Sequence, residues 1–98
     1  MHCVLVHKLT SEVYACTLIN VYDLPYYGAK FWNSADDAAE GLAAFFKEHC
    51  LNAEEWLLKD IEESELKLFN VKLKNNPNNR LFLNQEGKAY IEKKQASK

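Results

Sequence analysis

The side chains of this 98-residue chain best suited to hold a metal lie near its start: Cys3, His7 and Cys16. If residues 3–22 fold as one hairpin closed at Thr10-Ser11, Cys3 and His7 share a face. Cys16 then sits diagonally between them on the partner strand, within about 7–8 Å. His49 or Cys50 would add a fourth ligand from a covering helix. No tight CxxC or HxxxH pair anchors this set, as structural zinc usually requires. Buried cysteine packs as a small apolar group, so the three residues read as core, and the sequence calls for no metal or cofactor.

Other chemistry is as thinly supplied. Gly28, Gly41 and Gly87 are isolated, and neither the P-loop nor the dinucleotide spacing occurs. Ser34 is committed as a helix cap, and Cys50 falls at a helix C-terminus, where the partial negative charge opposes a thiolate. The carboxylate pairs Asp36-Asp37, Glu54-Glu55 and Glu62-Glu63 are adjacent on expected helices. Adjacent helical residues point about 100° apart and do not converge on one substrate. These residues argue against an enzyme.

Charge is unevenly spread. Residues 34–65 carry a net −8 and residues 66–98 a net +6, within a total of −2. Lys67, Lys72, Lys74, Arg80, Lys88, Lys93 and Lys94 lie in the last third with Phe69, Phe82 and Tyr90, the ingredients of a single-strand nucleic-acid platform. A single arginine and an overall pI near 5.9 weigh against that reading. The opening MHCVLVHKL lacks the basic start and apolar run of a leader, and no segment is apolar for long enough to cross a bilayer. Three widely spaced cysteines do not form a disulfide framework. The expectation is a cytoplasmic, reduced protein.

The elements that must position these residues follow from periodicity. CVLVHKL and VYACTLINVY read as an N-terminal hairpin with His7 opposite Tyr14, Leu5 opposite Cys16 and Cys3 opposite Leu18. Both of its faces are apolar. NSADDAAEGLAAFFKEHC is a helix with Ser34 as cap and Asp36 and Asp37 at its positive end. AEEWLLKDIEE reads as a second helix capped by Asn52, with Trp56 off its apolar stripe. SELKLFNVKLK alternates as a strand, with a slip at Leu68-Phe69 read as a bulge. RLFLNQEGKAYIE reads as a hairpin with Gly87 as the left-handed turn residue; a helix capped by Asn84 is the competing reading.

The fold expected is α+β: an antiparallel sheet made of the N-terminal hairpin and a C-terminal meander, with two helices packed on one face, in the order ββ-αα-βββ. Residues 1–92 form one domain, and 93–98 a disordered basic tail. Helices on one side leave the hairpin's other apolar face uncovered, so a homodimer is expected.

Five of the twelve aromatic residues fall within YDLPYYGAKFW, residues 22–32. Tyrosine and tryptophan on loops are typical of partner contacts. Tyr26, Tyr27, Trp32 and Trp56 are therefore the candidate contact residues of a small non-catalytic interaction domain, adaptor-like or inhibitor-like, with a protein partner. The alternative is a small-molecule-binding domain with residues 22–32 as a pocket wall. Single-stranded nucleic acid is a further alternative, and no membrane is involved. The run Leu24-Pro25-Tyr26-Tyr27-Gly28 resembles a segment of the barstar ribonuclease inhibitors, where a similar run opens a helix. The likeness covers five residues, and no residue role is carried over from it.

Overall fold

A computed structural model describes residues 2–93. The strand β1 (His2–His7) lies at the centre of a six-stranded antiparallel sheet. Along one edge it pairs over its full length with β6 (Trp56–Ile61), His2 opposite Ile61 and His7 opposite Trp56. Two short strands share its other edge: β2 (Glu12–Val13), with Val6 opposite Val13, and β5 (Phe31–Trp32), with Cys3 opposite Trp32. β2 continues the sheet to β7 (Asn79–Leu83) and β8 (Ala89–Lys93). Between β2 and β5 the chain leaves the sheet as a two-stranded arm, β3 (Ala15–Ile19) and β4 (Pro25–Ala29).

The expected long hairpin therefore ends early. Its first contact is Val6 with Val13, and the Tyr14 N–H still reaches the Leu5 carbonyl at 2.9 Å, but β3 then pairs with β4. Cys16 lies opposite Gly28 rather than Leu5, and Leu18 opposite Tyr26 rather than Cys3. Alternation nevertheless assigns the faces of β1 correctly. Val4 and Val6 point to one side; Cys3, Leu5 and His7 point to the other.

The first helix, α1 (Ala35–Glu48), is as expected: the Ser34 hydroxyl accepts from the Asp37 N–H at 3.1 Å. The next two elements exchange places. After a single 3-10 turn at Ala53–Glu55, residues expected to be helical form the edge strand β6. Residues expected to be a bulged strand form α2 (Glu63–Leu73). The slip at Leu68-Phe69 is the helical period itself, because Leu66, Phe69 and Leu73 are buried at spacings of three and four. A Glu65 carboxylate reaches back to the Glu62 N–H at 3.3 Å, fastening the first turn. The Asn79 amide donates to the Leu73 carbonyl at 3.0 Å and closes the last one. β6 in turn answers the unpaired edge of β1, a requirement no local pattern in WLLKDI announces.

The element order is consequently βββββ-α-β-α-ββ, and the helices lie on opposite faces of the sheet. Leu66, Phe69 and Leu73 of α2 pack with Val4, Val13, Ala29, Ile61, Leu81 and Leu83, the main core. On the other side, Phe45 and His49 of α1 meet Tyr14, and Phe45 also meets Trp32 edge to ring. Cys3 and Leu5, on that second face, are each about 1% exposed. Both apolar faces of β1 are thus covered within one chain. Along β1 the uncovered face from which a homodimer was expected is absent, because one helix on each side does what two on one side cannot, whereas Ile19 and Val21 further along the expected hairpin stay exposed.

The C-terminal hairpin β7–β8 forms as expected, with Gly87 at φ +81°, so the helical alternative for residues 84–93 is excluded. The expected meander is this hairpin alone. The disordered tail, apart from Lys93 at the end of β8, lies outside the described residues. Among the described residues no helix is long and apolar enough to cross a membrane.

Candidate interaction arm

The β3–β4 arm ends in a turn organised by Asn20. Its N–H donates to the Leu24 carbonyl at 3.0 Å, and the Asp23 N–H donates to the Asn20 carbonyl at 3.0 Å. The Asn20 side-chain oxygen accepts from the N–H groups of Tyr22 (2.8 Å) and Leu24 (3.1 Å). Asp23 takes the left-handed conformation at φ 61°.

The β7–β8 turn repeats this arrangement one residue for one residue. Asn84 N–H donates to Lys88, Gly87 N–H donates to Asn84, and the Asn84 side chain accepts from Glu86 and Lys88. The two turns differ in what they show to water. Gln85 and Glu86 occupy the two tip positions of one; Val21 and Tyr22 occupy them in the other, 90% and 79% exposed. Ile19 and Leu24 beside them are also exposed. The turn geometry places no demand for apolar side chains at these positions, as its polar copy demonstrates.

The base of the arm is held firmly. β4 lies against α2, and two asparagines satisfy its outer edge: the Asn70 side-chain oxygen accepts from Ala29 N–H at 3.0 Å, and that of Asn75 from Tyr27 N–H at 2.6 Å. Gly28 makes the approach possible, since a Cβ there would stand 2.8 Å from the Asn70 oxygen. The likeness of this segment to one that opens a helix does not extend to structure, for Pro25–Ala29 is a strand.

The four candidate contact residues are placed as follows. Tyr27 is half-buried against the main core, opposite Thr17. Burial, then the nearby Glu12 carboxylate, raises its phenol pKa above the usual tyrosine value. Tyr26 lines a groove of about 390 Å³ between the arm and the start of α1, with Leu18, Lys30, Trp32 and Asp37. Trp32 packs on Phe45, and the Lys30 ammonium lies 4.8 Å from its ring centre. Trp56, on a strand opposite His7, meets His7 and Tyr14 edge to ring, and its buried indole N–H has no partner among the described residues. Both tryptophans serve the aromatic layer beneath α1. Sequence reasoning missed Val21, Tyr22 and Leu24 as surface residues because it ran the second strand of the hairpin on through Tyr22. The available signal was an Asn-x-x-Asp turn spacing matching Asn-x-x-Gly at residues 84–87.

Residues with chemical potential are dispersed or quiet. Among the described residues no three metal-binding side chains converge. Cys16 stands on the arm, away from the face that Cys3 shares with His7, because the hairpin that would have joined them is interrupted. The Cys3 thiol donates to the Asp60 carboxylate at 3.0 Å. Burial first, then that hydrogen bond and charge, push its pKa up to about 11, so it stays protonated and a weak nucleophile. Phe69 lies in the core, and Arg80 is held by Glu12 at 2.8 and 3.1 Å. Compared with protein-family models, with curated proteins and with solved structures, the chain matches none.

Proposed function

We propose that this protein is a small non-catalytic interaction domain that contacts a protein partner through the tip of its β3–β4 arm. The carrying observation is the pair of matched turns: identical backbone bonding, solvated side chains on one, Val21 and Tyr22 on the other. An anchored base supports the reading, because a preorganised arm loses little conformational freedom on docking. Burying a tyrosine removes on the order of 150 Å² from water, roughly 4 kcal/mol gross, enough for Tyr22 to dominate a modest interface.

The direct test exchanges the tips. The double variant Val21→Gln, Tyr22→Glu copies the Gln85-Glu86 turn, so its melting temperature should stay within a few degrees of the parent. Affinity capture from the native host, run in parallel with both proteins, should retain a partner on the parent that the variant loses. Equal retention by both would remove the arm from the interface.

A second reading is supported by the groove beside Tyr26 and Trp32. Its volume of about 390 Å³ lies within the span of small-molecule sites, and Lys30 and Asp37 supply opposite charges at its rim. Thermal shift on adding a ligand, abolished by Trp32→Ala but not by the tip exchange, would favour it over docking.

A further inference from the structure

The outer edge of β6 is open. The Lys8 N–H donates to the Glu55 carbonyl at 2.8 Å, which sets the phase of the ladder. In an antiparallel pair the bonded positions recur every second residue, so Leu57, Lys59 and Ile61 direct their backbone groups to β1. Trp56, Leu58 and Asp60 direct theirs outward; the Trp56 N–H is taken by the Ala53 carbonyl of the 3-10 turn, and the Trp56 carbonyl and both groups of Leu58 and Asp60 have no backbone partner among the described residues. The strand is also bare on its faces, with Leu57 54% and Leu58 39% exposed. The opposite sheet edge, β8, is bordered by Lys88, Glu92 and Lys93, the usual guard against pairing. β6 has a single lysine and a single aspartate, and their positions select one partner.

We propose that two copies of this chain join edge to edge through β6, antiparallel, about a two-fold axis at Leu58. Phase and charge together lead to this register. Outward-facing residues must meet outward-facing residues, so Lys59 cannot sit opposite the Asp60 of a second copy. Of the registers that remain, moving the axis to Lys59 opposes two lysines, and moving it to Asp60 opposes two aspartates. Moving it towards Leu57 leaves only residues 56–58 of the strand overlapping. With the axis at Leu58, residues 56–60 pair without opposed like charges. Leu58 meets Leu58 of the second copy, Trp56 meets Asp60, and the alkyl stem of Lys59 covers exposed Leu57. This association is separate from the arm and from the two faces of β1, which the chain covers by itself.

Sedimentation over a range of concentrations should find a dimer that dissociates on dilution. Leu58→Pro removes an outward N–H and leaves the β1 ladder intact, a substitution edge strands tolerate. It should weaken association at least tenfold while preserving the circular dichroism spectrum and melting temperature. A second readout does not depend on proline being tolerated. In a Cys3→Ala, Cys50→Ser background, which removes the thiol paired with position 60, Leu58→Cys should form an intermolecular disulfide under mild oxidation, because directly opposed bonded residues have Cα atoms about 5.5 Å apart. Asp60→Cys, opposite Trp56 of the second copy, should not. A parent that is monomeric at high concentration, a Leu58→Pro variant as dimeric as the parent, or equal crosslinking at both positions overturns the proposal. Loss of association in the arm-tip variant instead of Leu58→Pro would assign the contact to the arm.

Discussion

Asn70 is one of the two asparagine side chains that hold the base of the arm, and its removal tests how the arm is held. Asn70→Ala leaves the Ala29 N–H without the acceptor now 3.0 Å away, at a residue with no exposed surface. An unsatisfied buried donor costs about 1–3 kcal/mol. For a domain of this size about 2 kcal/mol lowers the melting temperature by roughly 8–16 °C. Gly28→Ala should cost a similar amount, since its Cβ would stand 2.8 Å from both the Asn70 oxygen and the Tyr26 ring. In the double variant one of those two obstacles is gone. The combined loss should therefore fall short of the sum of the single losses by about 1–2 kcal/mol. Urea denaturation of the four proteins measures the cycle, and amide exchange at Ala29 should accelerate at least tenfold in Asn70→Ala. Strict additivity, together with a loss below 0.5 kcal/mol for Asn70→Ala, would refute this account of the anchored arm.

Three further outcomes follow from the geometry. Because the Cys3 thiol pKa is raised to about 11 from an unfolded value near 9, its contribution is complete below pH 9 and is lost as pH rises through 11. Stability measured across that window should fall less steeply in Cys3→Ala, with a residual fall above pH 10 from Tyr14 and Tyr27, whose pKa values burial also raises. Gly41→Ala would set a Cβ 2.9 Å from the Trp32 indole nitrogen; a loss of about 1–3 kcal/mol and a shift in tryptophan emission are expected. Ser34→Ala removes the hydroxyl bonded to the Asp37 N–H and should cost about 1 kcal/mol in thermal unfolding.

Local signals by themselves determined α1, with its Ser34 cap; the β7–β8 hairpin, with its Asn84–Gly87 turn; and the two faces of β1. Each is written in residues close in sequence, where a cap, a positive φ or a two-residue period acts without help from afar. Residues 53–73 defeated the same reasoning. WLLKDI has no preference strong enough to resist either conformation, and it becomes a strand because β1 offers it unpaired N–H and C=O groups about fifty residues away. LKLFNVKL becomes a helix because Leu66, Phe69 and Leu73 find the apolar face built by Val4, Val13, Leu81 and Leu83. The candidate surface was half legible for the same reason. The aromatic richness of residues 22–32 was plain, but which rings turn inward depends on α1 and α2. Only the folded chain places Trp32 and Trp56 under α1 and leaves Val21 and Tyr22 in water, since burial belongs to what surrounds a side chain rather than to the side chain itself.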